Sequence, residues 1–470
     1  MVRAMTLCVA ALLLGAVAVS AQTRPNVVLI MMDDVGYGDY GSYGASDINT
    51  PNVDRLAREG ARFTDFYAAP SCTPTRVALI SGRYQQRYGL EVPLSNNPAG
   101  GRGLPATGRS LPQLLKNSGY ATGLIGKWHL GYLPEFHPNT HGFDYFFGHL
   151  SGLIDYYQHT GPDGNHDLYE NREPAHVEGY STDLFTDRAI GFIERNAKQP
   201  FFVEVAYNAA HWPFQVPDKP STAPGRGRFV QPQEENTATR ADYVAILERA
   251  DQGVGRILAS LEKLGLTRNT LVIFTNDNGG EWLSRNGPLF HRKETLWEGG
   301  IRVPLLMRWP GQIPAGRTER QVGMVFDLTA TILAVSGATV PPETRLDGMN
   351  LLPIVQGRSP ASGRTLFWRV MTATPVRNQR AVRQGDWKVF VEAGKVFVFN
   401  VRDDPGERND LANERQDIAR KLFPLIAAWE KDVDAEGGRA GVSLPGRGGA
   451  PPGRGVAPSA APAGSGRGGN

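Results

Sequence analysis

The sequence predicts an α/β protein whose core is a large central, mostly parallel sheet flanked by helices. The first observation is a set of short apolar runs rich in Val and Ile, a pattern typical of strands buried on both faces of a parallel sheet. These runs span residues 25–32, 201–207 and 270–275. The second observation is that helical patterns lie between them, and such alternation is typical of doubly wound folds. A chain of 470 residues, 41% of them hydrophobic, can bury such a core.

The N-terminus has the features of an export signal. Met-Val-Arg is followed by an apolar run over residues 7–19, and the small residues Ser20 and Ala21 come next. This order predicts a signal peptide over residues 1–21. An uncleaved anchor is the alternative, but the run is shorter than the ~20 residues that a spanning helix needs. We therefore expect a periplasmic or secreted protein with no membrane span after cleavage.

The next part of the chain, residues 22–355, is predicted to form the main domain. Helical patterns within it span residues 51–59, 111–117 and 241–264. The last of these has one apolar face, which suits packing against a sheet. A further strand is expected at residues 120–125. Each of the main apolar runs ends next to polar residues, and open α/β sheets place their sites at the carboxyl ends of strands.

The C-terminal part follows a different pattern. Short strands are expected around residues 367–368, 387–391 and 396–401, followed by a helix over residues 414–432. We therefore expect a small antiparallel sheet with one packed helix, as a subdomain of residues 356–435. The tail of residues 436–470 is dominated by Gly, Pro, Ala and Arg. It is expected to be disordered because it has too little apolar surface to bury.

Charge and cysteine content argue against a nucleic-acid-binding protein and against a disulfide-stabilised one. The formal net charge is +3, and the acid-free stretch after Glu436 holds four of the arginines. The folded part is therefore close to neutral, and no basic face that could bind nucleic acid is expected. The two cysteines are Cys8 and Cys72. Because Cys8 leaves with the signal peptide, the mature chain has Cys72 alone and no internal disulfide is expected.

Cys72 lies in the segment Cys72-Thr73-Pro74-Thr75-Arg76. Proline is favoured in the first turn of a helix, so Cys72 is predicted to lie at a helix N-terminus. The positive end of the helix dipole is a suitable place for a nucleophile that attacks an anion. A buried cysteine that only fills the core is the alternative.

Two pairs of oxygen-bearing side chains follow two of the buried strands. Asp33-Asp34 comes after residues 25–32, and Asp277-Asn278 comes after residues 270–275. Carboxylate and amide oxygens are ligands that suit Ca²⁺ or Mg²⁺. An isolated Asp pair would simply cap the following turn, but two such pairs at two strand ends favour a metal site.

Together these segments resemble the formylglycine-dependent sulfatases, arylsulfatase-like enzymes of the alkaline phosphatase superfamily. The other segments that match this family are, in chain order, Ser81-Gly82-Arg83, Gly126-Lys127-Trp128-His129, His211-Trp212-Pro213, Lys293 five residues before Glu298-Gly299-Gly300, and residues 397–412. The resemblance runs from Asn26 to the helix ending near Asp432. It implies an alkaline-phosphatase-like sandwich with the small C-terminal sheet.

The resemblance also implies the chemistry. Cys72 would be oxidised to formylglycine (3-oxoalanine) by a formylglycine-generating enzyme, and one hydroxyl of the aldehyde hydrate would attack sulfur. The metal, Ca²⁺ with Mg²⁺ as the alternative, would be held by Asp33, Asp34, Cys72, Asp277 and Asn278. The substrate would be a sulfate ester, and sulfated carbohydrates are the expected class.

The remaining roles are carried over residue by residue. Arg76 would hold the nucleophile, and Asp277 would also act as its base. Lys127 and Lys293 would neutralise charge on the sulfuryl oxygens. The two histidines would act as acid and base catalysts: His211 would protonate the leaving oxygen, and His129 would assist release of the sulfate hemiacetal.

Three features concern the substrate. Ser151 is a further candidate for contact with the sulfate or the substrate. Arg292 stands where many relatives have Gly, and the Pro- and Gln-rich segment of residues 216–239 has no clear pattern. Arg292 and this segment are expected to border the substrate mouth, so they affect which substrate is bound and not the reaction class.

Two other functions stay open. One is a phosphate or phosphonate ester hydrolase of the same superfamily. A two-metal phosphatase would need extra His and Asp ligands, and the sequence offers no second ligand set. The other is a non-catalytic glycan-binding relative in which Cys72 remains a thiol, and the intact set of His, Lys and carboxylate residues argues against it.

Overall fold

The computed structural model describes residues 24–94, 101–219, 238–370 and 378–437. The predicted signal peptide, most of the segment 216–239 and nearly all of the C-terminal tail lie outside these residues. Among the described helices, none has the length and apolar character needed to cross a membrane.

The strands of the described residues form three sheets. In chain order they are β1 (Asn26–Met32), β2 (Ala61–Phe63), β3 (Phe66–Tyr67), β4 (Ala121–Lys127), β5 (Tyr145–His149), β6 (Tyr169–Glu170), β7 (Glu173–Pro174), β8 (Phe201–Ala206), β9 (Thr270–Asn276), β10 (Leu305–Arg308), β11 (Arg317–Glu319), β12 (Gly323–Met324), β13 (Thr365–Val370), β14 (Gln379–Gln384), β15 (Trp387–Glu392) and β16 (Lys395–Asn400). The strands predicted near residues 25–32, 120–125, 201–207 and 270–275 are therefore confirmed.

The central sheet has the strand order β11-β2-β10-β9-β1-β8-β4-β5-β6-β7 among the described residues. Strand β1 pairs in parallel with β8 on one side and with β9 on the other, and β4 is parallel to both β8 and β5. Strand β10 is antiparallel to β9, and β6 is antiparallel to β5. The sheet is thus mixed and parallel at its centre, as the apolar runs predicted.

The helices cover both faces of this sheet. In chain order the helices are α1 (Pro51–Glu59), α2 (Cys72–Ser81), α3 (Leu111–Asn117), α4 (Ser181–Arg195), α5 (Arg240–Lys263), α6 (Glu298–Ile301), α7 (Phe326–Ser336), α8 (Leu352–Val355) and α9 (Gln416–Gly437). Alternate residues of a strand point to opposite faces. Accordingly Val27 and Leu29 pack in the core that includes residues of α2, α3 and α7, and Val28 and Ile30 pack in the core that includes residues of α1, α4 and α5.

The C-terminal sheet is the antiparallel meander β13-β14-β15-β16. Helix α9 packs on it through a small core of Val382, Val389, Val398, Ile418, Leu422 and Ile426. This confirms the predicted antiparallel sheet with one packed helix. Strand β14 was not predicted from the sequence, because Gln379–Gln384 is mostly polar. The domain boundaries at residues 355 and 435 stay predictions.

Candidate active site

The two predicted pairs of oxygen ligands meet at one edge of the sheet. Strands β1 and β9 are parallel neighbours whose last residues, Met32 and Asn276, are aligned. The residues that follow them are therefore adjacent. The amide of Asn278 donates to Asp34 Oδ1 at 2.7 Å, and the backbone N–H of Asp34 donates to Asp277 Oδ1 at 3.5 Å. All of these side chains are buried.

Helix α2 brings Cys72 to this edge. The helix begins at Cys72 with Pro74 in its first turn, as predicted. The thiol is 2% exposed, and its Sγ lies 3.6 Å from Asp33 Oδ1. Burial, reinforced by the charge of Asp277, raises the pKa of the Cys72 thiol well above its usual value. Because the thiolate is the reactive form of cysteine, the unmodified thiol is a poor nucleophile at this position.

Three cationic side chains pair with the three carboxylates. Arg76 donates through Nη2 to Asp277 Oδ2 at 2.9 Å. The Nζ atom of Lys127 is 2.6 Å from Asp33 Oδ2, and the Nζ atom of Lys293 is 2.7 Å from Asp34 Oδ2. Each cation is 9% exposed or less. The geometry therefore gathers six of the predicted site residues into one buried cluster, which we call the active-site cluster: Asp33, Asp34, Arg76, Lys127, Asp277 and Lys293.

The carboxylates of this cluster have different proton affinities. Burial and the neighbouring Asp277 raise the pKa of Asp33 to about 8, against the opposing effect of Lys127. Burial also acts to raise the pKa of Asp34, but Lys293 and His211 outweigh it and hold that pKa below its usual value. The crowding of negative charge around Asp33 is the condition under which a bound cation stabilises a site.

The two predicted histidines lie beside the cluster. His211 Nε2 is 3.4 Å from Asp34 Oδ2, and burial lowers its pKa to about 3 despite the favourable charge of Asp34. His129 follows β4, and its Nε2 faces the carbonyl of Leu94 at 3.2 Å. Burial and Lys127 hold the pKa of His129 well below its usual value. Burial thus disfavours the charged form of both imidazoles, and a negative charge developing beside His211 would raise its proton affinity.

The side chains at this edge fit a hard divalent cation. One ligand atom each from Asp33, Asp34, Cys72 and His211 lies within 4.8 Å of the others. The Oδ1 atom of Asn278 is buried and has no hydrogen-bond partner among the described residues. A carboxylate-rich donor set with an amide oxygen suits Ca²⁺ or Mg²⁺. This compact group contains His211 where the predicted ligand set has Asp277, whose Oδ2 pairs with Arg76.

Ser151, like His129, has no hydrogen bond or ion pair to the active-site cluster among the described residues. Its hydroxyl donates to the carbonyl of Leu153, and its backbone N–H donates to Asp167 Oδ2 at 3.0 Å. Its role stays a prediction. The sequence analysis missed Glu281, whose Oε2 is 3.5 Å from Lys293 Nζ. The available signal was its position three residues after Asn278, at the end of β9.

Comparison with known proteins places this geometry in a family. A family model described as Sulfatase matches residues 25–338. The chain belongs to the sulfatase family. A second model, described as the C-terminal part of N-sulphoglucosamine sulphohydrolase, matches residues 288–430. With arylsulfatases among its relatives, this sulfatase is a sulfuric ester hydrolase of the arylsulfatase-like kind.

Several relatives span nearly the whole chain. An N-acetylgalactosamine-6-sulfatase of Rattus norvegicus is 37% identical over 89% of this chain and 88% of its own length. Arylsulfatase A of Bos taurus is 33% identical over 88% of this chain and 89% of its own. The crystal structure titled Ps i-CgsB, at 31% identity, superposes with a TM-score of 0.79 and covers 87% of this chain and 93% of that one. These neighbours confirm the alkaline-phosphatase-like fold of this sulfatase.

Proposed function

We propose that this sulfatase hydrolyses sulfate esters of carbohydrates, using a formylglycine made from Cys72 and a bound Ca²⁺, with Mg²⁺ as the alternative ion. The observation that carries the proposal is the position of Cys72. It begins helix α2, 3.6 Å from a carboxylate of a cluster in which two lysines contact the two adjacent aspartates. That arrangement supplies a nucleophile position, oxygen ligands for a cation, and positive charge for an anionic substrate.

Two groups would have to be added to the chain as translated. Formylglycine would supply hydroxyl groups in its hydrated form, and the cation would supply positive charge for the sulfuryl oxygens. The chain's own residues would hold that cation through Asp33, Asp34, Asp277, Asn278 and residue 72. A formylglycine-generating enzyme would act on Cys72 during maturation.

The other site residues would have the following roles. Arg76 would hold Asp277, the proposed base, through their ion pair of 2.9 Å. Lys127 and Lys293 bring two positive charges to the point where the sulfate would lie, and fixed charge in a buried site needs no reorganisation during the reaction. His211 would protonate the leaving oxygen, and His129 would assist release of sulfate from residue 72.

The substrate proposal rests on the relatives. The rat protein is named N-acetylgalactosamine-6-sulfatase, and one structure of Ps i-CgsB, 31% identical to this chain, is titled as a complex with k-i-k-neocarrahexaose. Both names indicate sugars as ligands. A phosphonate monoester hydrolase of Agrobacterium radiobacter has a TM-score of 0.59 at 20% identity, which supports a common fold only. We further propose export through the signal peptide of residues 1–21, to the periplasm or medium.

The test measures sulfate release and the state of residue 72 on the same purified sample. We expect N-acetylgalactosamine 6-sulfate or another sulfated sugar to release sulfate, and the phosphate ester of the same sugar to react far more slowly. Mass spectrometry of the peptide containing residue 72 should reveal an aldehyde in place of the thiol. Cys72→Ala, which removes the proposed nucleophile, is the matched inactive control.

Three results would contradict the proposal in different ways. Full activity in protein that carries only the thiol would rule out formylglycine as the nucleophile. Faster cleavage of the phosphate or phosphonate ester would favour the alternative hydrolase. Binding of sulfated glycans without any turnover by aldehyde-containing, calcium-loaded protein would favour a non-catalytic relative.

A further inference from the structure

A cleft borders the active-site cluster on the side of Lys293. It has a volume of about 370 Å³, which lies in the range of small-molecule sites. Its lining comes from the loop that joins β9 to α6: Gly280, Glu281, Trp282, Ser284, Asn286, Leu289, His291 and Arg292. Its inner wall is Glu281, whose carboxylate is 3.5 Å from Lys293 Nζ, and Lys293 in turn contacts Asp34. The cleft therefore begins one side chain away from the proposed sulfate position.

The wall of the cleft is held in place by hydrogen bonds within the loop. Asn286 accepts from the backbone N–H of Gly280 at 2.9 Å and donates to the carbonyls of Gly280 and His291 at 3.0 and 3.2 Å. The backbone N–H of Lys293 donates to the carbonyl of Gly280 at 3.2 Å. One buried amide thus ties the two ends of the lining segment together, two residues before Lys293. The cleft is preformed and fixed relative to the cluster.

Arg292 is the free positive charge of this cleft. Its guanidinium lies over the indole of Trp282, 5.4 Å from the ring centroid. Among the described residues no carboxylate lies within ion-pair distance of Arg292, and the nearby Glu281 is directed to Lys293. Arginine offers a planar fork of donors that matches a carboxylate or a sulfate. An arginine held against an aromatic ring loses less freedom when it binds such a group.

We propose that Arg292 and Trp282 form a subsite for a second anionic group of the sulfated carbohydrate. The group would be either a uronate carboxylate or a second sulfate, and the sugar that carries it would be the leaving sugar or its neighbour. This inference rests on the proposed function and narrows its substrate class to multiply charged glycans. Arg292 is a specificity residue here, because it lies next to the reacting centre and contacts none of the reacting atoms.

The test compares substrates that differ by one anionic group. N-acetylgalactosamine 6-sulfate is the neutral-sugar reference. The carboxylate arm uses the disaccharide of a uronic acid linked to this sugar, and the sulfate arm uses N-acetylgalactosamine 4,6-disulfate. If the parent cleaves none of these three substrates at the 6-position, a set of sugars sulfated at other positions is screened for sulfate release. The singly and doubly charged substrates are then compared at the position that is cleaved. We expect kcat/KM to be higher for at least one doubly charged substrate than for the reference sugar. The preferred substrate shows whether the subsite binds a carboxylate or a second sulfate.

Variants of Arg292 then assign that preference. For Arg292→Gln, kcat/KM on the preferred substrate should fall roughly ten-fold or more, since a hydrogen-bonded charge is lost. The fall should appear in KM with kcat little changed, because this contact is made equally in the ground state and the transition state. On the reference sugar the same variant should be within about two-fold of the parent. Arg292→Glu should reverse the preference.

Arg285→Gln is the matched control. Arg285 is an exposed arginine of the same loop that pairs with Asp47 at 2.9 Å and does not line the cleft. Its loss should leave the preference unchanged. A parent without preference for either doubly charged substrate, or an Arg292→Gln variant that keeps the preference, would overturn the subsite while leaving the sulfatase reaction intact. An absence of sulfate release from every sulfated sugar would overturn the proposed function and the subsite with it.

Discussion

Two buried groups of charge in this protein have the same composition and different arrangements. The active-site cluster has three carboxylates and three cations. A second group, which we call the Lys388 cluster, has three of each as well: Asp65, Glu298 and Glu407 with Arg302, Arg383 and Lys388. In the Lys388 cluster each of two cations bridges two acids. Lys388 Nζ lies 3.0 Å from Glu298 and 2.9 Å from Glu407, and Arg302 lies 3.3 Å from Glu298 and 3.4 Å from Asp65.

In the active-site cluster the carboxylates face one another. Oxygen atoms of Asp33 and Asp34 lie within 4.8 Å, the cations approach from outside, and Asn278 Oδ1 is left without a described partner. Like charges that converge in a buried site raise each other's proton affinity and favour a bound cation. The comparison indicates that the spatial arrangement of the charges, more than their number, determines whether a cluster can bind a cation. In the Lys388 cluster the cations lie between the acids, whereas in the active-site cluster the oxygen atoms of the acids converge on one another.

The largest effect should come from removing one acid of the active-site cluster. Asp277→Asn keeps the shape and removes the charge that pairs with Arg76. Turnover of a sulfated sugar should fall on the order of 10⁴-fold, the scale of losses when a single acid of a catalytic unit is changed. Steady-state kinetics and urea unfolding of the metal-free protein measure this together. A variant that is unstable but retains its turnover would indicate that Asp277 stabilises the fold and takes no part in the reaction.

The matched change in the Lys388 cluster should affect stability instead. Lys388→Met leaves Glu298 and Glu407 buried without their shared cation, and breaking a buried pair costs about 3–5 kcal/mol. Urea unfolding should report that loss. Turnover per folded molecule should stay within about ten-fold, because Lys388 does not contact the active-site cluster. Turnover that falls as far as in Asp277→Asn would erase the distinction between the clusters.

Within the active-site region the two histidines should separate by substrate. His211→Ala should lower turnover of a sulfated sugar about 100-fold, because an alkoxide cannot leave unprotonated, and should have a much smaller effect on nitrophenyl sulfate. His129→Ala should lower both to a similar extent, with a burst of alcohol release if the sulfated enzyme accumulates. Rapid-quench kinetics on both substrates distinguishes them. Equal losses for His211→Ala would leave that residue as a binding group.

The smallest expected effect is a loss of folding stability at acidic pH, caused by a histidine that borders the active-site cluster. His149 is fully buried against Phe185, and burial with Lys127 holds its pKa well below 6.5. The unfolded chain then binds a proton that the folded chain does not, so stability is lost as pH falls below 6.5. One proton of difference changes stability by at most about 1.4 kcal/mol per pH unit. His149→Phe should match the stability of the parent at pH 8 and exceed it at pH 5. Parallel unfolding curves at both pH values would contradict this.

The sequence predicted those parts of the fold that depend on local pattern. Strands β1 and β9 were predicted because each is an unbroken apolar run, and α2 was predicted from Pro74. The adjacency of Asp34 and Asn278 was predictable because parallel strands end at the same edge. These predictions cover four of the ten strands of the central sheet, five of the nine described α-helices and most of the candidate site.

The rest depends on contacts between residues far apart in the chain. The Lys388 cluster joins residues from 65 to 407, and no local pattern distinguishes its members from surface charges. Strand β14 escaped prediction because its polar residues, Arg383 among them, are buried by ion pairs with partners such as Asp65. The hydroxyl of Ser151 is used by its own turn, a detail that only the backbone path determines.

The burial of Cys72 in the folded protein also limits the time during which the proposed maturation enzyme could reach it. Asp277, whose charge acts on the buried cysteine, leaves the ribosome 205 residues after it (277 minus 72). At ordinary elongation rates that interval lasts roughly 10 to 40 s. A maturation enzyme that needs access to the cysteine would have that window, during which the nascent chain still lacks strand β9. Faster folding of the first half of the chain would therefore yield stable protein with an unconverted thiol.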